Sequence, residues 1–330
     1  MFDIVTFGSA TRDLFIRSKD FKTLGSKEFV TGQGICFNLG SKIYLDDMLF
    51  TTGGGGTNAA ATFARQGFKT AYVGRVGKDS GGKGIKEELE NLKITGFIGE
   101  DNKLKTAYSI IISVSQKERT ILVYSGACHS LQAKDIPFGK LKSKWFYIAG
   151  LSGESVKTLM PIISFAKKNK IKVAMNPGAA QLNLGLGGLK NILNTIDVLL
   201  LNQEEGTRLA GLPFEKEREI FKKLDKFVRG IVIMTKGPKG VIVSDGKYIY
   251  SAGTFKEKKY TDRTGAGDAF GSGFVSGLMR TGKIEEAIRL GTANGTAVVE
   301  EIGAKNGLLT KSRFEKESRW RNFKITKTKL

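Results

Sequence analysis

The apolar residues of this 330-residue chain change period again and again, and that alternation most narrows what it can fold into. Short runs at Asp3–Phe7, Thr70–Gly74, Trp145–Ala149, Lys172–Met175, Asp197–Leu201, Ile231–Thr235 and Val241–Ser244 read as strands. Between several of them the spacing turns helical: Ile85, Leu89 and Leu92 share one face, and Val156, Leu159, Met160 and Ile163 share another. Strands alternating with helices imply parallel βαβ units, and a parallel sheet is covered on both faces. The rhythm breaks twice. Residues from about Leu14 to Thr52 hold strand-like pieces, Phe29-Val30 and Lys42-Ile43-Tyr44-Leu45, with no clear helix. Farther on, Ala107–Val114 and Arg119–Tyr124 read as a hairpin across Ser115-Gln116-Lys117-Glu118. The expected fold class is therefore α/β: a doubly wound, mainly parallel sheet flanked by helices, with a small β-sheet lid. Residues 1–13, 53–96 and 125–330 are assigned to the α/β domain, and 14–52 and 97–124 to the lid. Such a lid would lie over the carboxyl ends of the parallel strands, where open α/β sheets bind ligands.

The composition, 40% hydrophobic and 26% charged, is that of a soluble globular protein. No apolar run is long enough to span a bilayer, and the start Met1-Phe2-Asp3-Ile4-Val5 has no basic leader. Cys36 and Cys128 are far apart and lack metal-ligand spacing, so a reducing, cytoplasmic setting is expected. The formal charge of +21 is spread along the chain without aromatic interleaving or a recognition motif. Its densest stretch, Lys311 to Leu330, sets eight Lys and Arg against Glu315 and Glu317 and reads as a solvated end. Neither a nucleic acid nor a membrane is the expected partner; attraction of an anionic small molecule is the simpler role for the charge. A basic nucleic-acid binder or a nucleotide-binding regulator is the alternative outside the enzyme class.

The strongest local signal is Asp262-Arg263-Thr264-Gly265-Ala266-Gly267-Asp268-Ala269-Phe270. Small residues just before a helix let the backbone approach a ligand, and the free N–H groups of a helix N-terminus face an anion. An aspartate there would repel a bound phosphate, unless its carboxylate takes the proton of an attacking hydroxyl while the amides hold the phosphoryl group. On its own, Asp268 would equally serve as a helix cap. The second signal is Gly53-Gly54-Gly55-Gly56-Thr57-Asn58 ahead of the helical Ala59–Gly67. Its glycines permit close approach of a ligand, and Asn58 offers both a donor and an acceptor, which suits a polyol. The plainer alternative is a hinge with Asn58 as an N-cap. No Gly-Lys-Ser/Thr follows, so this is not a Walker A loop.

In this order, with Val76-Gly77-Lys78-Asp79-Ser80-Gly81-Gly82, Asn202-Gln203-Glu204-Glu205 and Thr235-Lys236-Gly237-Pro238-Lys239-Gly240 between them, the motifs resemble the ribokinase-like (PfkB) family of carbohydrate and nucleoside kinases. The resemblance runs over nearly the whole chain. It implies an ATP-dependent kinase using Mg2+, with Asp268 as base and the amides of Gly265, Ala266 and Gly267 as anion hole. Asp13, Gly54, Gly55 and Asn58 would bind the acceptor. Asn202, Thr235, Gly237, Gly240 and Asn294 would bind the nucleotide, Asn294 near the adenine. Glu205 would position magnesium through water, and Asp262 with Thr264 falls where many members bind a monovalent cation such as K+. The acceptor implied is a sugar, with a nucleoside or a sugar phosphate as alternatives, and the lid often forms a homodimer clasp. Two departures stand out. Arg263 replaces a small hydroxyl residue, and Trp145–Ser152 lacks the acidic sugar contact of ribokinase itself.

Overall fold

Alternate residues of the inner strands point into two different cores, which is why these segments are apolar throughout. On Phe2–Phe7, Ile4 packs with Phe63, Tyr147, Phe270 and Phe274, whereas Val5 and Phe7 pack with Phe146, Ile148, Ile162 and Leu199. A strand with period-2 side chains can fill two cores only if helices cover both faces of its sheet.

The computed structural model describes residues 1–29, 31–114 and 119–330. Val30 and the expected Ser115–Glu118 turn lie outside them. The strands are β1 (Phe2–Phe7), β2 (Thr11–Arg17), β3 (Lys22–Gly25), β4 (Gln33–Cys36), β5 (Asp47–Gly53), β6 (Thr70–Gly77), β7 (Thr95–Asp101), β8 (Ala107–Ser113), β9 (Arg119–Tyr124), β10 (Ser143–Ile148), β11 (Lys172–Met175), β12 (Val198–Asn202), β13 (Ile231–Thr235), β14 (Val241–Ser244), β15 (Tyr248–Ala252) and β16 (Ile325–Lys329). The helices are α1 (Gly55–Arg65), α2 (Ser80–Asn91), α3 (Leu159–Lys168), α4 (Ala179–Leu182), α5 (Gly185–Leu193), α6 (Gln203–Ala210), α7 (Glu217–Leu224), α8 (Ala266–Thr281), α9 (Ile284–Val299) and α10 (Lys311–Lys316).

The main sheet has ten strands in the order β16-β15-β14-β13-β12-β11-β10-β1-β6-β7. It is parallel from β13 to β7 and antiparallel from β13 through β14 and β15 to β16. The strand order reverses between β1 and β10; the chain leaving β1 enters lid strand β2, and the chain leaving β10 leads toward α3. A second sheet, β5-β2-β8-β9, forms the lid, and β3 with β4 makes a separate hairpin. The expected α/β class, with its small separate sheet, is what the chain adopts.

Several details differ from expectation. Residues 97–101, assigned to the lid, belong to β7, which pairs in parallel with β6 after the α2 crossover. Asp13, assigned to the main domain, sits within lid strand β2, opposite Thr51 of β5. The piece Lys42–Leu45 forms no strand, and Phe29 lies in the turn of the β3–β4 hairpin. Met160 is 48% exposed, because its turn of α3 faces away from the core that Leu159 and Ile163 enter.

The basic tail is not merely solvated. β16 adds a strand to the main sheet, and Trp320 is completely buried, its ring edge-on to Phe255 at 5.0 Å. Arg319 lies 3.7 Å over that indole ring and pairs with Glu300 at 2.8 Å. A tail anchored this way is part of the fold. Replacing Trp320 with Ala should lower the unfolding free energy by about 3–5 kcal/mol, readable as a fall in the urea midpoint with an unchanged m-value.

Candidate active site

Two helix N-termini meet below the lid, and glycine makes the meeting possible. Gly54, at the N-cap of α1, has φ 97°, and a Cβ there would lie 2.5 Å from the Ser9 carbonyl oxygen. Gly265, at the N-cap of α8, is left-handed with φ 76°, and a Cβ would lie 2.4 Å from that of Ala304. Both positions therefore exclude a side chain twice over, by conformation and by space. Gly55 then comes so near α8 that a Cβ on it would sit 3.4 Å from Asp268 Oδ1.

Asp268 lies in the first turn of α8, partly buried, and Asn58 Nδ2 donates to its Oδ2 at 2.8 Å. Asn58 is inside α1, so it is not the N-cap that the plainer reading allowed. Its other polar atom, Oδ1, is buried and has no partner among the described residues. A buried acceptor without a donor is costly unless a ligand supplies one, and a substrate hydroxyl would. Around the same turn, the amides of Gly265, Gly267 and Asp268 have no acceptor among the described residues. Ala266 N–H instead bonds back to Arg263 O at 3.2 Å. Of the three expected anion-hole amides, Gly265 and Gly267 are thus free and Ala266 is engaged.

Burial raises the Asp268 pKa above the ordinary carboxylate value. The Asn58 hydrogen bond and the positive charge of Lys305 oppose that rise, and the charge of Asp13 adds to it. Asp13 behaves alike: burial pushes its pKa up, against hydrogen bonds from Thr11 and Ser109 and the charge of Lys305. Thr11 Oγ1 donates to Asp13 Oδ1 at 2.9 Å. Lys305 is itself buried, and its Nζ bonds Glu88 Oε2 at 2.6 Å and Thr52 Oγ1 at 2.7 Å. Burial lowers its pKa and the Glu88 carboxylate holds it up. Motif reading missed both Lys305 and Glu88. The one available signal was the small-residue turn Gly303-Ala304-Lys305-Asn306-Gly307 after α9. A cavity of about 320 Å³ opens beside Lys305, between β5, α2 and this turn.

The remaining expected residues divide into three groups. Asn202 and Thr235 are register partners at the carboxyl ends of β12 and β13, and Gly237 and Gly240 frame the turn that follows. Asn202 and Glu205 cap α6 reciprocally: Glu205 N–H donates to Asn202 Oδ1 at 2.9 Å, and Asn202 N–H to Glu205 Oε2 at 2.8 Å. Burial, followed by the charges of Glu204 and Asp268, raises the Glu205 pKa, so this carboxylate feels Asp268. Its Oε1 is not used by the cap. One carboxylate with a spare oxygen fits magnesium, which binds through one or two carboxylates, substrate phosphates and water.

Asp262 and Thr264 do not fit their expected role. Asp262 Oδ1 accepts from Thr264 N at 3.0 Å, Thr264 Oγ1 at 2.8 Å and the guanidinium of Arg119, and Oδ2 accepts from Gly303 N at 3.1 Å. A cation already occupies that carboxylate. Asn294 must also be corrected. It is completely buried between α8 and α9, donating to Ala269 O at 2.8 Å and accepting from Leu309 N–H at 2.9 Å. A core amide whose donor and acceptor are both engaged by backbone holds helices together and cannot reach a nucleotide base.

The pattern of pfkB family carbohydrate kinases matches residues 1–311. A ribokinase of Haemophilus influenzae is 31% identical over 265 residues, covering 78% of this chain and 84% of the relative. A cytidine kinase of Thermococcus kodakarensis is 25% identical over 253 residues, 76% of this chain and 88% of the relative. Among solved structures, Arabidopsis thaliana ribokinase complexed with ribose and ATP shares the fold with a TM-score of 0.77 at 22% identity, covering 97% of this chain and 99% of that one. The free amides at the α8 N-terminus, the carboxylate among them and the match over 311 residues agree: the chain belongs to the pfkB family of carbohydrate kinases, phosphotransferases with a hydroxyl acceptor.

Proposed function

We propose that this kinase transfers the γ-phosphoryl group of ATP to a hydroxyl of a sugar, with Asp268 as the base. The observation that carries the reading is the contact of Asn58 Nδ2 with Asp268 Oδ2, beside free amides of the α8 N-terminus. Asn58 holds the carboxylate with one oxygen engaged, leaving Oδ1 to receive the acceptor's proton. Its own orphaned Oδ1 and the buried Asp13 provide acceptors for further hydroxyls of the same molecule. The Gly265 and Gly267 amides, at the positive end of a 16-residue helix, face the charge that spreads over the transferring oxygens. Magnesium, bound with the nucleotide near Glu205, would screen the phosphate charges. Thr235, Gly237 and Gly240, one strand along from Asn202, offer a backbone groove for the nucleotide, and the lid strands over Asp13 would exclude water. Similarity to ribokinases favours a sugar. The similarity to a cytidine kinase keeps a nucleoside as the second reading, since Asp13 would meet a ribose in either.

An ADP-release assay with ATP and magnesium over pentoses, hexoses, sugar phosphates and nucleosides tests the reading. Acceptor-dependent ADP formation confined to free sugars supports it, and turnover with nucleosides alone selects the second. Asp268→Asn should leave acceptor affinity intact and lower kcat by about 10²–10⁴-fold, the usual contribution of a general base; near-normal turnover would refute the assignment.

The raised pKa of Asp268 sets a direction in pH. The base must be ionised, so kcat/KM should fall as pH drops through a value above the ordinary carboxylate pKa. Asn58→Leu removes a hydrogen bond that favours the ionised form and should move this acid limb to higher pH. Lys305→Met removes a favourable charge and should move it the same way. A limb that stays at the wild-type pH in both variants would show that neither group tunes the base.

A further inference from the structure

The loop that carries the anion hole is tied to the lid by one side chain. Arg119 opens β9 of the lid sheet, and its guanidinium pairs with Asp262, which also gathers Thr264 N–H, Thr264 Oγ–H and Gly303 N–H. The two side chains are only 19% and 9% exposed, so the pair is shielded from water and salt. Asp262 thereby joins three separate pieces of chain: the lid, the turn leading to Gly265, and the turn after α9 on which Gly265 packs. Other basic side chains nearby are committed or turned away. Lys305 is held by Glu88, and Arg263 on the loop itself is exposed.

We infer that Arg119 is a positioning residue that acts as a built-in cation for the anion-hole loop, so that phosphoryl transfer needs no added monovalent ion. The inference rests on the kinase reading of this site. An isolated carboxylate buried at the root of the loop would need a counter-ion to keep Thr264 and Gly303 in place, and it would add to the repulsion that Asp13 already feels from Asp262. A guanidinium supplies that charge with planar, directed donors, and it does so only while the lid strand is in position. Lid placement and anion-hole geometry are therefore one event in this chain.

The test compares wild type, Arg119→Met and Arg119→Lys across a KCl series, with ionic strength held by choline chloride. Turnover is read as ADP release, and melting temperature is read in the same solutions. Wild type should be flat in both. Arg119→Met should lose turnover on the order of 10²-fold, as for a misplaced reacting group, and should regain it with KCl or guanidinium chloride while its melting temperature rises with KCl. Arg119→Lys should stay close to wild type and indifferent to KCl. A wild-type enzyme that is activated or stabilised by KCl would overturn the inference. So would an Arg119→Met variant as active as wild type, or one that is folded and impaired but restored by neither ion. Absence of ADP formation by wild type with every acceptor and salt would instead count against the kinase reading, and the melting series would still decide whether the site takes K+.

Discussion

A carboxylate that is to take a proton at neutral pH, yet sits where protein has replaced water, must be kept ionised by its neighbours. On the proposed reading Asp268 is such a carboxylate, and several parts of the structure bear on its charge. Burial raises its pKa, and the nearby Asp13 works in the same direction. Against them stand the positive end of α8, the Asn58 amide from α1 and the charge of Lys305 from the turn after α9. Burial lowers the Lys305 pKa in turn, and Glu88 of α2, which faces it, opposes that fall together with the charge of Asp13. Four elements widely spaced in the sequence thus bear, directly or through Lys305, on the charge of one carboxylate. The parallel sheet makes this possible, because it delivers helix N-termini to a common edge.

What could be read from the sequence follows the same division. Strands filling two cores are apolar on both faces, so β1, β6, β10, β11, β12, β13 and β14 stood out by composition and length. β16 did not. Its Ile325-Thr326-Lys327-Thr328-Lys329 is an exposed edge strand whose lysines mask it within a basic tail. β7 misled for a related reason, since an edge strand with Gly96 and Gly99 resembles the start of an excursion. In the site, Asp268, Gly54, Gly55 and Asn58 were legible because closely spaced glycines are rare without a reason. Lys305 and Arg119 were not, being two of 53 basic residues. Their roles come from partners more than a hundred residues away, Glu88 and Asp262. Asn294 shows the opposite error. A polar residue in a helix was given a ligand, whereas its amide satisfies the backbone at Ala269 and Leu309.

The positive surplus and the acidic cleft act at different ranges. Asp268, Asp13, Asp262 and Glu205 gather at or beside the site, and by charge alone they would repel a nucleotide. Arg119 offsets Asp262 in a direct pair, and Lys305, bonded to Glu88, acts on Asp13 and Asp268 through its charge, inside protein where salt screens little. The rest of the +21 charge is spread over the chain, and between exposed groups its field decays over about 8 Å at physiological ionic strength. The spread charge can therefore speed the arrival of an anionic substrate, whereas Lys305 favours the ionised Asp268 and, on the proposed reading, the half-buried Arg119 holds the anion-hole loop. Salt should accordingly weaken capture of the nucleotide well before it alters the chemical step. Such a separation allows a strongly basic protein to keep an acidic active site.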